Sequence, residues 1–252
     1  PVSGLERDDF RVLEEGVEQE LADFGDARDR PLTVGLAIDS SASMFVKLPD
    51  VQDAAATFVR NLRSRRDRAF VVGFGSEPRL ARDTTSDMPD VLDGLYRLRP
   101  DGQTAIWRAV VYSLVQLQGA GGKKALIVFS DGADEDPDFS YRTALEFARR
   151  VGAPIYFIVA NDEIYRTAGK SLTVRGFLGR LRKLTGEVGG RVFLTKVTDD
   201  LEQIYSEIER ELRSQYLLSY YTRDYGGDRW RRVTVEVKRP GVEARTLSGL
   251  FR

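Results

Sequence analysis

The chain has 252 residues, 42% of them hydrophobic and 31% charged, with 38 basic side chains against 39 acidic ones and neither histidine nor cysteine. Those two absences exclude thiolate nucleophiles, imidazole general bases, Ser-His-Asp triads, Cys/His zinc centres and disulfide frameworks, so a bound metal must sit on oxygen. The formal charge of −1 gives no global attraction to nucleic acid or anionic membrane, and the longest apolar runs, such as residues 125–129, fall far short of the roughly 18 residues a membrane helix needs.

The chain begins at Pro1 instead of methionine, from which we expect a processed or excised piece whose signal or anchor segment lies outside it. Phe10-Arg11-Val12-Leu13 and Gln19-Glu20-Leu21-Ala22, turned at Glu15-Gly16, predict a short hairpin within residues 9–24. From Leu32 to Val197 short β-rich runs alternate with amphipathic stretches, the pattern of a parallel sheet covered by helices on both faces. The predicted strands are Leu32–Asp39, Arg68–Phe74, 124–130, 154–160 and 191–196. Pro78–Thr85 follows Gly73-Phe74-Gly75 too closely for a crossover helix and is predicted as an antiparallel edge strand.

Helical spacing of three and four joins Val51, Ala55, Phe58 and Leu62, then Ala144, Phe147, Ala148 and Val151, then Leu201, Ile204, Tyr205, Ile208, Leu212 and Tyr216, with Thr198 or Asp199 as the last helix's cap. After it come strand-like runs at 216–222, 232–238 and 243–250, separated by Gly226-Gly227 and Pro240-Gly241. Lone hairpins are marginal in water, so the two ends are expected to pair. The predicted architecture is α/β: a doubly wound, mostly parallel sheet over residues 31–215, with a small β appendage built from residues 1–30 and 216–252. Two separate edge additions to the main sheet are the alternative.

The first core strand ends in Ile38-Asp39-Ser40-Ser41-Ala42-Ser43, one carboxylate and two alternate hydroxyls at the carboxyl edge of a central strand, where open α/β sheets bind ligands. Thr104, at a helix start, and Asp131, directly after the run 126–129, are predicted to reach the same edge. Each residue has an ordinary structural explanation as a cap or turn former; it is the ordered set of five that singles out the site.

Asp-x-Ser-x-Ser, a lone Thr at a helix start and a strand-terminal Asp-Gly together resemble the metal-ion-dependent adhesion site of the von Willebrand factor type A domain, over roughly residues 31 to 215. The flanks, Asp9-Phe10-Arg11-Val12-Leu13-Glu14-Glu15-Gly16 and Leu212-Arg213-Ser214-Gln215-Tyr216-Leu217-Leu218-Ser219-Tyr220-Tyr221, are similar to the bacterial VWFA-related (acidobacterial-type) subfamily. Ala42 stands where many relatives carry glycine. The resemblance implies a non-enzymatic, extracytoplasmic module (secreted, periplasmic or at the cell surface) in which Asp39, Ser41, Ser43, Thr104 and Asp131 hold a divalent cation, magnesium first and manganese or calcium as alternatives. Magnesium takes octahedral oxygen coordination and commonly retains waters, and a site with few direct anionic ligands leaves it able to accept an Asp or Glu carboxylate from a protein partner.

Two competing functions remain at this level: a metal-dependent phosphohydrolase or phosphotransferase using Asp39 as nucleophile, and a metal-insensitive scaffold. The first needs a second acid two residues on, where the chain has Ser41. Asp134, Asp136 and Asp138 have the spacing of a calcium loop, but Phe139 replaces its turn glycine and Leu145 its bidentate glutamate, which leaves at most a weak second calcium site. Gly119-Ala120-Gly121-Gly122-Lys123-Lys124 precedes a strand and is no phosphate loop. The basic runs at 63–66 and 229–232 are short enough to be solvated faces. Met44, Phe45, Val46 and Leu48 are expected to pack at the next helix start, with an apolar rim for a partner as the alternative.

Overall fold

The computed structural model describes residues 2–196, 200–222 and 229–251. The chain opens with β1 (Phe10–Glu14), β2 (Val17–Gln19) and β3 (Leu21–Asp26). The run predicted at 19–22 therefore divides at Glu20. Val17–Gln19 turns back on β1, whereas Leu21 is buried with Phe10 and Val12 and starts a strand of a different sheet.

The α/β core follows: β4 (Leu32–Asp39), a 3-10 turn at Ala42–Phe45, α1 (Leu48–Asn61), β5 (Arg68–Phe74), β6 (Pro78–Thr85), α2 (Met88–Tyr96) and α3 (Ile106–Leu117). Next come β7 (Lys123–Ser130), α4 (Tyr141–Val151), β8 (Ile155–Ala160), α5 (Asp162–Thr167), α6 (Leu172–Glu187), β9 (Arg191–Thr195) and α7 (Leu201–Arg213). The six strands run in the order β6-β5-β4-β7-β8-β9, all parallel except β6, which pairs antiparallel with β5 as its short connection requires. Strand β4 is central and buried along its whole length. Its Leu32, Val34, Leu36 and Ile38 pack with α1, α2 and α7, while Ala37 faces the layer of α3, α4 and α6. That period of two across a sheet clad on both sides is why the strand reads as an unbroken apolar run.

The chain leaves the core through β10 (Tyr216–Tyr220), β11 (Trp230–Val237) and β12 (Gly249–Phe251). Strand β10 pairs antiparallel with β3, and β11 pairs antiparallel with β1, giving a four-stranded sheet β12-β11-β1-β2 beside the two-stranded one. Both small sheets share one apolar cluster around Leu5, Phe10, Val12 and Leu21, joined by Phe24, Tyr216 and Val235. Of the run predicted at 243–250 only the end is strand, and Leu247 instead bridges to Val188 beside the core. The Gly226-Gly227 turn and the caps assigned to Thr198 or Asp199 lie outside the described residues.

Candidate metal centre

The loops after β4 and β7 and the α2–α3 loop, which lies against the carboxyl end of β5, build the site, and backbone hydrogen bonds lock the β4 loop, the end of β5 and the α2–α3 loop together. Ser40 N donates to Phe74 O (2.7 Å), Asp101 N to Ser40 O (2.7 Å), Ala42 N to Gly102 O (2.9 Å) and Ala105 N to Gly75 O (3.1 Å). Gly102 has φ +74° and Gly75 lies so close to the carbonyl of Asp101 that a Cβ there would overlap it. Gly75→Ala should therefore shift the loop that carries Thr104 and destabilise the fold by about 1–3 kcal/mol, seen as a lower melting temperature. An unchanged melting curve would show that the loop yields without strain. Ala42 has no left-handed backbone, so alanine is tolerated where relatives carry glycine.

Asp39 is fully buried. Its Oδ1 accepts from Ser41 N (2.8 Å) and its Oδ2 from Ser130 Oγ (2.6 Å). Burial pushes its carboxyl up to about 6, against hydrogen bonds from Ser130 and Ser41 that favour the charged form; nearby Asp131 adds to the rise. Ser41 Oγ lies 3.0 Å from Ser43 Oγ, and Ser43 Oγ donates to Asp131 Oδ1 (2.9 Å). Thr104 is tied to the β7–α4 loop on both sides: its N–H donates to Glu135 Oε2 (3.1 Å) and its carbonyl accepts from Glu135 N (2.7 Å). Its hydroxyl lies 3.9 Å from where a Cβ on Gly132 would stand. The loops thus bring Asp39, Ser41, Ser43, Thr104 and Asp131 to one edge, with four of the five buried and Ser43 exposed at the lip.

Polar contacts from three residues were not anticipated. Ser130 fixes Asp39, as its position one residue before Asp131 could have suggested. Lys47 Nζ donates to Asp131 Oδ2 (2.7 Å) and lies 3.5 Å from Ala160 O. The available signal was spacing, because Lys47 follows Ser43 by four residues across a helical turn. Asn161, the cap of α5, also donates to the carbonyl of Asp131, fixing the loop from the β8 side.

Asp134, Asp136 and Asp138 are not gathered. Asp134 Oδ1 accepts from Trp107 N (3.2 Å) at the start of α3, and burial pushes its carboxyl up to about 6 against that contact. Asp136 forms a two-point pair with Arg108 (2.7 and 3.2 Å), which holds its carboxyl below the ordinary range. Among the described residues no group of three or more acidic side chains is placed to hold a metal ion.

The donor set near Asp39 nevertheless suits a hard cation. Its side-chain atoms are all oxygen, one serine hydroxyl touches both another hydroxyl and a carboxylate, and the ammonium of Lys47 already rests on Asp131. Residues 34–133 match the family model described as von Willebrand factor type A domain. The α/β core has the von Willebrand factor type A fold. Such domains generally serve in protein interaction and adhesion.

Solved structures with this fold include a von Willebrand factor type A protein from Catenulispora acidiphila, 16% identical with a TM-score of 0.61 over 77% of this chain and 51% of that one. The D319A mutant of the PilB minor pilin from Streptococcus sanguinis is 12% identical, with a TM-score of 0.60 over 74% of this chain and 62% of that one. The vWF domain of the type V pili tip protein Mfa5 from Porphyromonas gingivalis is 12% identical, with a TM-score of 0.56 over 73% of this chain and 96% of that domain. The chain thus spans about half the length of the first and under two thirds of the second. No curated protein matches. Among the described residues no helix is long and apolar enough to cross a membrane.

Proposed function

We propose that this chain is a metal-dependent protein-binding module, in which a divalent cation, magnesium in the first instance, is held by Asp39, Ser41, Ser43, Thr104 and Asp131 and accepts an Asp or Glu carboxylate from a protein partner. The observation that carries this reading is the connected run of oxygens from Ser41 through Ser43 to Asp131, closed below by the buried Asp39 and opening at the exposed Ser43. The chemistry a bound cation would supply is electrostatic: an electrophilic point with room for an incoming anion. Ser130 and the Ser41 amide orient Asp39 and keep it from swinging outward, while Asn161 and Glu135 fix the neighbouring loops. Pilins and pilus-tip proteins among the structural neighbours support an extracytoplasmic location and an adhesive or assembly role.

The nucleophile reading has no support in the geometry. The position two residues after Asp39, where that chemistry needs a second acid, is Ser41, and its backbone N–H donates to Asp39.

Lys47 gives a direct test of the cation. Its ammonium and a metal compete for Asp131, so Lys47→Met should weaken the metal-free fold, by leaving Asp131 buried without its partner, and enlarge the rise in melting temperature that magnesium produces. An equal rise in wild type and variant would remove Lys47 from the site. The partner itself is sought by capture from envelope fractions of the source cell in magnesium and in EDTA, with wild type and Asp39→Ala side by side. A protein retained only by wild type in magnesium supports the proposal, and identical capture in all four arms overturns it.

A further inference from the structure

The turn between the site and α1 separates its apolar side chains sharply. Met44 and Leu48 are 0% and 3% exposed, packed under the sheet edge, whereas Phe45 and Val46 are 76% and 80% exposed. The packing expected of all four holds for two of them only. The exposed pair sits between Ser43, at the lip of the site, and Lys47, whose ammonium lies on Asp131. Large apolar side chains left this open on a short, well-anchored turn gain nothing for the fold and mark a contact surface when they adjoin a binding site. On the far side of Asp131, in the segment after β8, Tyr165 is 42% exposed, with Lys196 Nζ 5.0 Å from its ring centroid. The floor of this edge is thus polar, and its rim carries apolar surface together with two cationic groups.

We infer that the ligand is a protein segment in which a carboxylate side chain is immediately flanked by a bulky apolar residue, the carboxylate going to the site and its neighbour packing on Phe45 and Val46. The inference rests on the proposed metal-dependent carboxylate binding and adds the chemistry of the flanking position. Lys196, beside Tyr165, complements the acidic character of such a segment and disfavours a basic one.

Two synthetic peptides test it by fluorescence anisotropy in magnesium: one with a single glutamate flanked by leucine and phenylalanine, the other with the same glutamate flanked by glycine. Wild type should bind the first at least about tenfold more tightly, because burying even part of two large side chains contributes that much. Phe45→Ser/Val46→Ser should erase the ratio while leaving intact both the magnesium-dependent rise in melting temperature and the weak binding of the glycine-flanked peptide. Equal affinity of wild type for both peptides, with the magnesium response present, would overturn the flanking inference and leave the carboxylate reading standing. Loss of the magnesium response in wild type would overturn both. The inference also fails if Phe45 and Val46 serve another surface: vesicles of phosphatidylserine and phosphatidylcholine bound by wild type but not by the double variant, or a wild-type dimer that the variant abolishes in sedimentation, with no peptide preference in either case.

Discussion

Asp67→Asn should lower the stability of the fold by about 3–5 kcal/mol, because it leaves a partly buried guanidinium without its counter-charge. Asp67 is 0% exposed immediately before β5. Its carboxylate accepts from Leu32 N (3.1 Å), the first residue of β4; from Arg63 N (2.8 Å), just beyond α1; and from Arg213 Nη2 (2.6 Å), the last residue of α7. One side chain therefore ties three elements at the amino edge of the sheet, opposite the candidate metal centre. Burial pushes its carboxyl upward, but the Arg213 guanidinium and the Arg63 and Leu32 amides outweigh that and hold it below the ordinary value.

The sign of the pH dependence follows. A depressed folded pKa means that the stabilisation is complete above the unfolded value, near 3.9, and is lost as pH falls through the folded one. Asparagine has no such dependence. The gap between wild type and Asp67→Asn in urea unfolding should be full at pH 7 and narrow below about pH 4. In a chain of this size the pH 7 difference corresponds to a melting-temperature loss of roughly 6–20 °C. Coincident unfolding curves at pH 7 would show that the carboxylate's charge does not stabilise this corner.

Asp39→Ala should abolish the response to metal. At a magnesium concentration about one hundred times the dissociation constant, binding to the folded state alone stabilises wild type by about 2.7 kcal/mol relative to EDTA, or roughly 5–11 °C. Asp39 is the inner carboxylate of the site, and alanine removes the acceptor used by both Ser41 N and Ser130 Oγ. Asp39→Asn keeps the volume and removes the charge, so it should also lose the response while disturbing the loop less. Wild-type melting curves that coincide in magnesium, manganese and EDTA would reject the metal and favour a scaffold. A full response in both variants would place the cation elsewhere.

The α/β core was legible because its signals are local. Leu32–Asp39, Arg68–Phe74 and Pro78–Thr85 are found with the limits predicted, since each is bounded by turn residues and the last follows its partner too closely for a crossover. The helical stripe through Leu201, Ile204, Tyr205, Ile208 and Leu212 is buried in the core as its period requires, whereas Tyr216, expected to continue it, lies beyond the helix and opens β10. Legibility fails where pairing partners are far apart in sequence. Nothing near Glu20 announces that Val17–Gln19 turns back on β1 while Leu21–Asp26 pairs with a strand some 190 residues later. Nor does the composition of 243–250 show that Leu247 bridges to Val188 instead of extending a strand.

Asp39, Ser41, Ser43 and Asp131 could be placed together from order and residue type, because β4 and β7 are adjacent and loops at their carboxyl ends must lie near one another; Thr104 comes from the α2–α3 loop, and its helix-start position was the signal. For Lys47 the four-residue spacing from Ser43 was too weak a signal, since a charged residue near a helix start is ordinarily solvated and only the fold turns it onto Asp131. The exposure of Phe45 and Val46 was hidden for the same reason: apolar residues flanking a helix start read as core, and only Met44 and Leu48 are.

The pairing of β3 with β10 has a mechanical consequence. Leu21 opposes Tyr220 and Asp26 opposes Tyr216, so the chain enters and leaves the core side by side; Phe10 opposes Val237 in the same sense. Tension applied between the two ends of the chain would open these ladders one rung at a time, like a zip, and be spent there before reaching β4. The Asp67 contacts are of the other kind: they hold β4, the end of α1 and the end of α7 side by side, so those elements part only by sliding past several neighbours at once.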